Sequence, residues 1–134
     1  MPPIDRITII NAHPPKLTDV NTELQWLGST LGLFGERDKD SSCFRIFVAV
    51  FNASNKNEAV SSNDIADSCE LARGTVIHHL NKLQDAGLVV HRNTRYYLSG
   101  KSMEDSVLHL QNEVSRMFTL LESVARNIDR KMGK

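Results

Sequence analysis

Residues 61–100, SSNDIADSCELARGTVIHHLNKLQDAGLVVHRNTRYYLSG, contain two short stretches with helical patterns. Ser61 is followed three residues later by Asp64, which resembles a capping box with Asp in place of the usual Glu or Gln. A helix over 62–69 is expected to begin there. After a tight turn, a second helix is expected over 73–86, with apolar residues spaced along one face. Two short helices joined in this way predict a helix-turn-helix.

A β-hairpin is predicted immediately after the second helix. Gly87 stands where the end of a helix favours a left-handed residue, and the run LVVHR begins just beyond it. Asn93 and Thr94 separate this run from RYYLSG, and two Val- and Tyr-rich runs around two turn-tolerant residues are typical of a hairpin. The whole order predicts a winged helix-turn-helix. The expected fold class is mainly α with one small β-hairpin.

The stretch LARGTVIHHLNKLQDAGLVV at 71–90 resembles the recognition-helix region of ArsR- and MarR-like winged-helix repressors. The shared features are a small polar-rich turn, Thr-Val, paired His, Leu80 and Leu83, and the exit Ala-Gly-Leu-Val. The resemblance implies a sequence-specific transcriptional regulator that binds duplex DNA. The sequence departs from the pattern at Ala72, where such repressors often carry a Ser that caps the recognition helix.

Charge is distributed unevenly, although the chain has a net charge of zero. Residues 1–70 carry six Lys or Arg and ten Asp or Glu, whereas residues 71–101 carry five basic residues and one acidic residue. Residues 102–134 carry five of each sign. Because binding to a polyanion depends on the local field rather than on total charge, the net +4 of residues 71–101 favours nucleic acid as a partner. A solvated charged face is the alternative interpretation.

The recognition helix is expected to present its N-terminal residues to base edges in the major groove, and the hairpin tip to reach the minor groove or adjacent phosphates. Lys82 is interpreted as a clamp on the DNA backbone. Thr75 is also placed to cap the helix, and His79 is interpreted as structural. The residues predicted to contact DNA are Arg73, Gly74, Thr75, Ile77, His78, Lys82, Arg92 and Arg95.

A long helix is predicted after Gly100, where Ser102 and Asp105 again resemble a capping box. Its apolar residues recur at alternating intervals of four and three, which is the a/d pattern of a coiled coil. A second stripe lies on an N-terminal helix predicted over 18–34. We expect these helices to form a homodimer, with a monomer whose long helix folds back as the alternative. The predicted interface residues are Val20, Leu24, Leu27, Leu31, Val107, Leu110, Val114, Met117, Leu121, Val124 and Ile128.

These patterns divide the chain into three parts. Residues 1–40 are expected to be an N-terminal extension with one helix, residues 41–100 the winged domain, and residues 101–134 a coiled-coil-like helix. A short strand is considered for residues 4–10. A densely apolar helix over 43–54 is expected to be buried, with Ser41 or Ser42 as its cap.

Other functional classes receive little support from the sequence. No apolar run approaches the roughly 20 residues of a membrane span, and no secretory signal is expected, so a cytoplasmic protein with reduced thiols is predicted. Neither a catalytic motif nor a cofactor motif is present, which predicts a protein that is not an enzyme and has no cofactor. His109 and Glu113 are interpreted as a surface pair rather than zinc ligands. A small-molecule effector between the terminal helices is left open, and the alternative function is a winged-helix module that binds protein.

Overall fold

The computed structural model describes residues 4, 6–16, 19–35 and 41–134. Within these residues it has five helices and one two-stranded antiparallel sheet. The order confirms the predicted winged helix-turn-helix, preceded by a helix and followed by a long one. The elements are α1 Val20–Thr30, α2 Ser42–Asn55, α3 Ser62–Cys69, α4 Arg73–Asp85, β1 Val89–Arg92, β2 Arg95–Leu98 and α5 Met103–Lys131.

The helix-turn-helix consists of α3 and α4. The Ser61 hydroxyl accepts a hydrogen bond from the Asp64 amide at 3.1 Å, which caps α3 as predicted. Glu70 reverses the chain with a left-handed φ of 54°. Ala72 then occupies the N-cap position of α4 with an extended backbone and no side-chain capping bond. Gly87 follows the helix with a φ of +83°, which confirms its predicted role at the helix end.

The wing is a hairpin in which β1 and β2 pair from Val89 opposite Leu98 to Arg92 opposite Arg95. A third segment joins it, because Val60 forms an isolated bridge with Tyr96. The Tyr96 amide donates to the Val60 carbonyl at 2.7 Å, and the Val60 amide donates back at 3.3 Å. The wing is thus tied to the chain just before α3.

The core surrounds α2, as its dense apolar sequence predicted. Ile46, Phe47 and Val50 are fully buried against the helix-turn-helix and the wing. On the other side, Phe34 packs edge-on against Phe44, with ring centroids 5.4 Å apart. Gly28 of α1 allows this contact, since a Cβ built there would lie 1.8 Å from the Phe34 ring. These contacts join α1 to the winged domain.

The structure differs from the sequence-based expectations for residues 4–42 at three points. The described residues of 4–10 form no strand; the Ile10 amide instead donates one hydrogen bond to the carbonyl of Thr30 at 2.7 Å. The N-terminal helix ends at Thr30 rather than Phe34, because Phe34 turns back over Gly28. Ser41 holds the N-cap position of α2 in a left-handed conformation, from which its side chain makes no capping bond.

The start of α1 is set by a carboxylate cap. Asp19 accepts hydrogen bonds from the backbone amide of Thr22 at 2.8 Å and from its hydroxyl at 2.7 Å. These bonds lower the pKa of Asp19. The predicted start of this helix, Thr18, lies outside the described residues.

The long helix α5 begins at the predicted cap, where Ser102 accepts from the Asp105 amide at 3.1 Å. Its first turns are anchored by the buried residues Ser106 and Leu110. From residue 115 to its end, every residue is exposed. The second half of α5 therefore projects from the domain. Among the described residues, no helix has the length and hydropathy of a membrane span.

Candidate nucleic-acid interface

The first turns of α4 present the predicted reading face to solvent. Arg73, Gly74, Thr75 and His78 are exposed, and Ile77 is half-buried. The opposite stripe is fully buried, so the helix has a fixed rotation about its axis. The buried stripe consists of Val76, Leu80 and Leu83.

Tyr96 of β2 connects this helix start with the wing. Burial raises the pKa of Tyr96, and the positive charge of Arg73 partly opposes that shift. On the wing, the exposed His91 ring stacks on Tyr96 with centroids 4.2 Å apart and an interplanar angle of 2°. Tyr96 therefore interacts both with Arg73 at the start of α4 and with His91 of the hairpin.

The two arginines at the tip of the wing have different environments. Arg92 and Arg95 are directly opposite in the hairpin, so their like charges repel. Arg95 donates to Asp64 at 3.4 Å and to the carbonyl of Ala59 at 3.3 Å. Arg92 is exposed, and its side chain forms no hydrogen bond or ion pair with any residue that the structure describes. Arg95 holds the wing against α3, whereas Arg92 extends a cation into solvent.

Residues 40–92 match a family model described as a helix-turn-helix domain. The match covers less than half of the chain and contains α2, α3, α4 and β1. It supports a helix-turn-helix regulator with DNA as its partner. No match was found among curated proteins or among solved structures.

Lys82 of the helix-turn-helix has a contact within the protein. Its ammonium group donates to the carbonyl of Leu33 at 2.9 Å, which ties α4 to the segment after α1. The two residues are 49 positions apart, so no local pattern indicated the contact. Lys82 is still exposed and keeps further N–H donors for a second acceptor.

Two neighbours of the helix-turn-helix were missed by sequence reasoning. Arg45 of α2 donates to the Cys69 carbonyl at 2.9 Å, which satisfies the C-terminal end of α3. The His91–Tyr96 stack was also missed, because it joins side chains of two different strands. In the structure Tyr96 is buried and Tyr97 is exposed.

The residues predicted for a dimer interface fall into three groups. Leu24 and Leu110 belong to the core of the protomer itself, so they are not free to contact another copy. Leu27, Leu31 and Val114 are half-buried between α1 and α5. The remaining residues are exposed: Val20, Val107, Met117, Leu121, Val124 and Ile128.

The histidine, glutamate and cysteine residues considered for metal or redox chemistry form neither a metal site nor a disulfide among the described residues. The Glu113 carboxylate pairs with Arg116 at 3.2 Å, and His109 is half-buried one turn before it. Across the described ranges, no group of three potential ligands is close enough to hold a metal ion. Cys43 is buried, Cys69 is half-buried, and no disulfide joins them.

Proposed function

We propose that the protein is a sequence-specific transcriptional regulator of the ArsR- and MarR-like kind, and that it binds duplex DNA as a homodimer. The observation that supports this most is that the exposed start of α4 is followed directly by a hairpin with an exposed basic tip, in the order of a winged helix-turn-helix. In this arrangement α4 enters the major groove and the hairpin reaches the flanking backbone or minor groove. The resemblance of residues 71–90 to that family agrees with it.

The start of α4 has the properties that close contact with DNA requires. Arg73 is free to reach a phosphate or a guanine edge, where a bidentate contact discriminates by about 1–3 kcal/mol. No atom lies within 4 Å of a Cβ built at Gly74, so the helix surface is open there. Ala72 makes no side-chain cap, which leaves the first amides of the helix available to a phosphate. Thr75, Ile77 and His78 then face the bases.

The basic residues divide into two roles in this proposal. Arg92 binds phosphate or the minor groove directly. Arg95 and Lys82 each donate one or more hydrogen bonds within the protein. Their remaining N–H donors contact the DNA backbone. Arg95 therefore also positions the wing relative to α3.

The homodimer is supported by the projecting half of α5. Residues 115–131 would extend about 25 Å at 1.5 Å per residue. Their large apolar side chains are between 45% and 61% exposed: Met117, Phe118, Leu120, Leu121, Val124 and Ile128. Monomeric proteins rarely expose such a continuous patch, and a heptad stripe is complementary to a second copy of itself.

The experiment is a fluorescence-anisotropy titration of duplex DNA at several salt concentrations. We expect Arg73→Ala and Arg92→Ala each to weaken binding about tenfold and to reduce the salt slope by about one. Arg126→Ala is the matched control, because Arg126 is an exposed cation on α5, away from the proposed surface. If the wild type has no DNA affinity at low salt, or if all three variants behave alike, the proposal fails. A winged-helix module for protein binding would then be favoured.

A further inference from the structure

Asp64 and Arg95 form an ion pair between the helix-turn-helix and the wing. The Arg95 guanidinium lies 3.4 Å from one carboxylate oxygen of Asp64, and both side chains are more than half exposed. Within the described part of the chain, the hydrogen bonds of this guanidinium come from one nitrogen, Nη1, which also donates to the Ala59 carbonyl at 3.3 Å. The pair is therefore a single long contact in water rather than a buried, bidentate one.

Other hydrogen bonds hold the wing in place as well. The Tyr96 amide donates to the Val60 carbonyl at 2.7 Å, and the Val60 amide donates back at 3.3 Å. At the end of β2, the Leu98 amide donates to the Ser54 hydroxyl of α2 at 3.0 Å. Because these bonds do not involve Asp64, the wing keeps its position when the charge of that residue is removed.

Asp64 belongs to an acidic stretch beside a basic wing. Residues 57–72 carry four acidic residues and no basic residue, and all four are exposed: Glu58, Asp64, Asp67 and Glu70. Among the described residues, Asp64 is the one of these four that forms an ion pair. Arg92 stands directly opposite Arg95 in the hairpin. Of the two opposed cations at the wing tip, one is thus partly neutralised within the protein.

We propose that Asp64 competes with DNA for Arg95 and thereby limits how strongly the wing binds phosphate. This inference rests on the proposed DNA-binding function. Carboxylate and phosphate oxygens are both strong acceptors for a guanidinium, and their like charges repel each other when both lie close to it. The attraction between Arg95 and the DNA backbone is therefore partly offset by the loss of its attraction to Asp64.

The competition is weak enough for DNA to overcome it. An exposed ion pair with a single contact changes an equilibrium constant by only a few fold, so a phosphate on a densely charged duplex displaces the carboxylate. Phosphate contacts carry no sequence information, so Asp64 lowers affinity for every duplex alike. A larger share of the remaining affinity then comes from the contacts of α4 with base edges.

Asp64→Asn tests the competition, because the amide keeps an oxygen acceptor for Arg95 and removes the charge. The cap of α3 is retained, since Ser61 accepts from the backbone amide of residue 64. Fluorescence anisotropy with a labelled duplex of random sequence is measured at several salt concentrations. We expect the variant to bind about two- to fivefold more tightly than the wild type, with a salt slope steeper by up to about one. If Asp64 only positions the wing, the variant should instead bind more weakly.

Two controls separate the ion pair from the general effect of charge. Asp67→Asn removes an equal charge from an exposed residue of the same helix, and its effect should be smaller than that of Asp64→Asn. Arg95→Ala removes the contested cation, so adding Asp64→Asn to it should give no further gain. If the double variant still gains the full two- to fivefold over Arg95→Ala, simple repulsion between Asp64 and DNA explains the effect and the competition is wrong.

A measurement without DNA distinguishes this inference from the proposed function. In a ¹⁵N–¹H spectrum of the arginine side chains, the Nε–H signal of Arg95 is assigned by its absence from Arg95→Ala. Asp64→Asn should shift this signal more than Asp67→Asn does, and equal shifts would overturn the inference whatever the DNA result. If the wild type binds DNA and Asp64→Asn gains no affinity, the competition alone is wrong. If the signal shifts as expected but the wild type binds no DNA at low salt, the proposed function fails and the competition fails with it.

Discussion

Gly87 joins the recognition helix to the wing at a position where no other residue fits well. Its φ of +83° is in the left-handed region, and it is buried. A Cβ built there would lie 2.6 Å from Cδ1 of Ile4 and 2.9 Å from Cδ2 of Leu110. Gly87→Ala should therefore lower the free energy of unfolding by about 2–4 kcal/mol, through backbone strain and overpacking. Urea denaturation followed by circular dichroism measures this change.

Gly74→Ala is the matched control for this substitution. Gly74 is exposed in the first turn of α4, and a Cβ added there would have no atom within 4 Å. Alanine is the better helix former, so stability should be unchanged or higher by up to about 1 kcal/mol. DNA affinity should nevertheless fall, because the new methyl group occupies the open helix surface. Equal stability losses in the two variants would contradict this account of both glycines.

At the scale of the elements, helix ends show what a sequence determines locally. The caps at Ser61 and Ser102 were predicted because the hydroxyl and the amide that it accepts from are three residues apart. Ser41 has the right residue type at the N-cap position, yet its backbone is left-handed and its side chain makes no capping bond. Local chemistry predicts a cap, and tertiary packing decides whether it forms.

The sequence predicted the helices and strands of the candidate surface but not the side-chain contacts between them. Residue spacing predicted α4, the wing and the projecting stripe of α5, because each of them is determined by residues close together in the sequence. The link from Arg95 to Asp64 spans 31 positions, and the link from Lys82 to Leu33 spans 49. Contacts at such separations depend on how helices pack, which no local spacing contains.

The missing cap of α4 can be supplied. Ala72 already has the extended N-cap backbone, with φ −65° and ψ 142°. Ala72→Ser should therefore add a hydrogen bond to the first turn and raise the free energy of unfolding by about 1 kcal/mol. Ser61→Ala, which removes the cap of α3, should lower it by a similar amount. Thermal unfolding of both variants measures these changes in stability. If Ser61→Ala is clearly less stable than the wild type while Ala72→Ser is no more stable, α4 does not need a side-chain cap.

At the scale of the whole molecule, the hydrophobic core and the proposed dimer interface lie in different parts of the chain. The core is built around α2 and includes no residue of α5 beyond Leu110. The projecting half of α5 exposes its stripe without contributing to that core. Disruption of the stripe should therefore separate the copies and leave each winged domain folded.

The double variant Leu121→Glu with Val124→Glu tests this separation. Sedimentation velocity at micromolar concentration should show a dimer for the wild type and a monomer for the variant, because paired carboxylates in the seam repel. Ser123→Glu, exposed and off the stripe, should remain dimeric. A monomeric wild type would contradict the homodimer.

The same variants test whether dimerisation increases affinity for DNA. In the proposed homodimer, two winged domains held by one α5 pair would read two half-sites about 34–36 Å apart, one turn of the duplex. We expect the monomeric variant to bind a single half-site as the wild type does, and to lose the additional affinity for a paired site. Because each domain alone offers few phosphate contacts, that loss should be at least about a hundredfold and most evident near physiological salt. Equal affinity of both proteins for the paired site would mean that one domain suffices for recognition and that the stripe on α5 serves another partner.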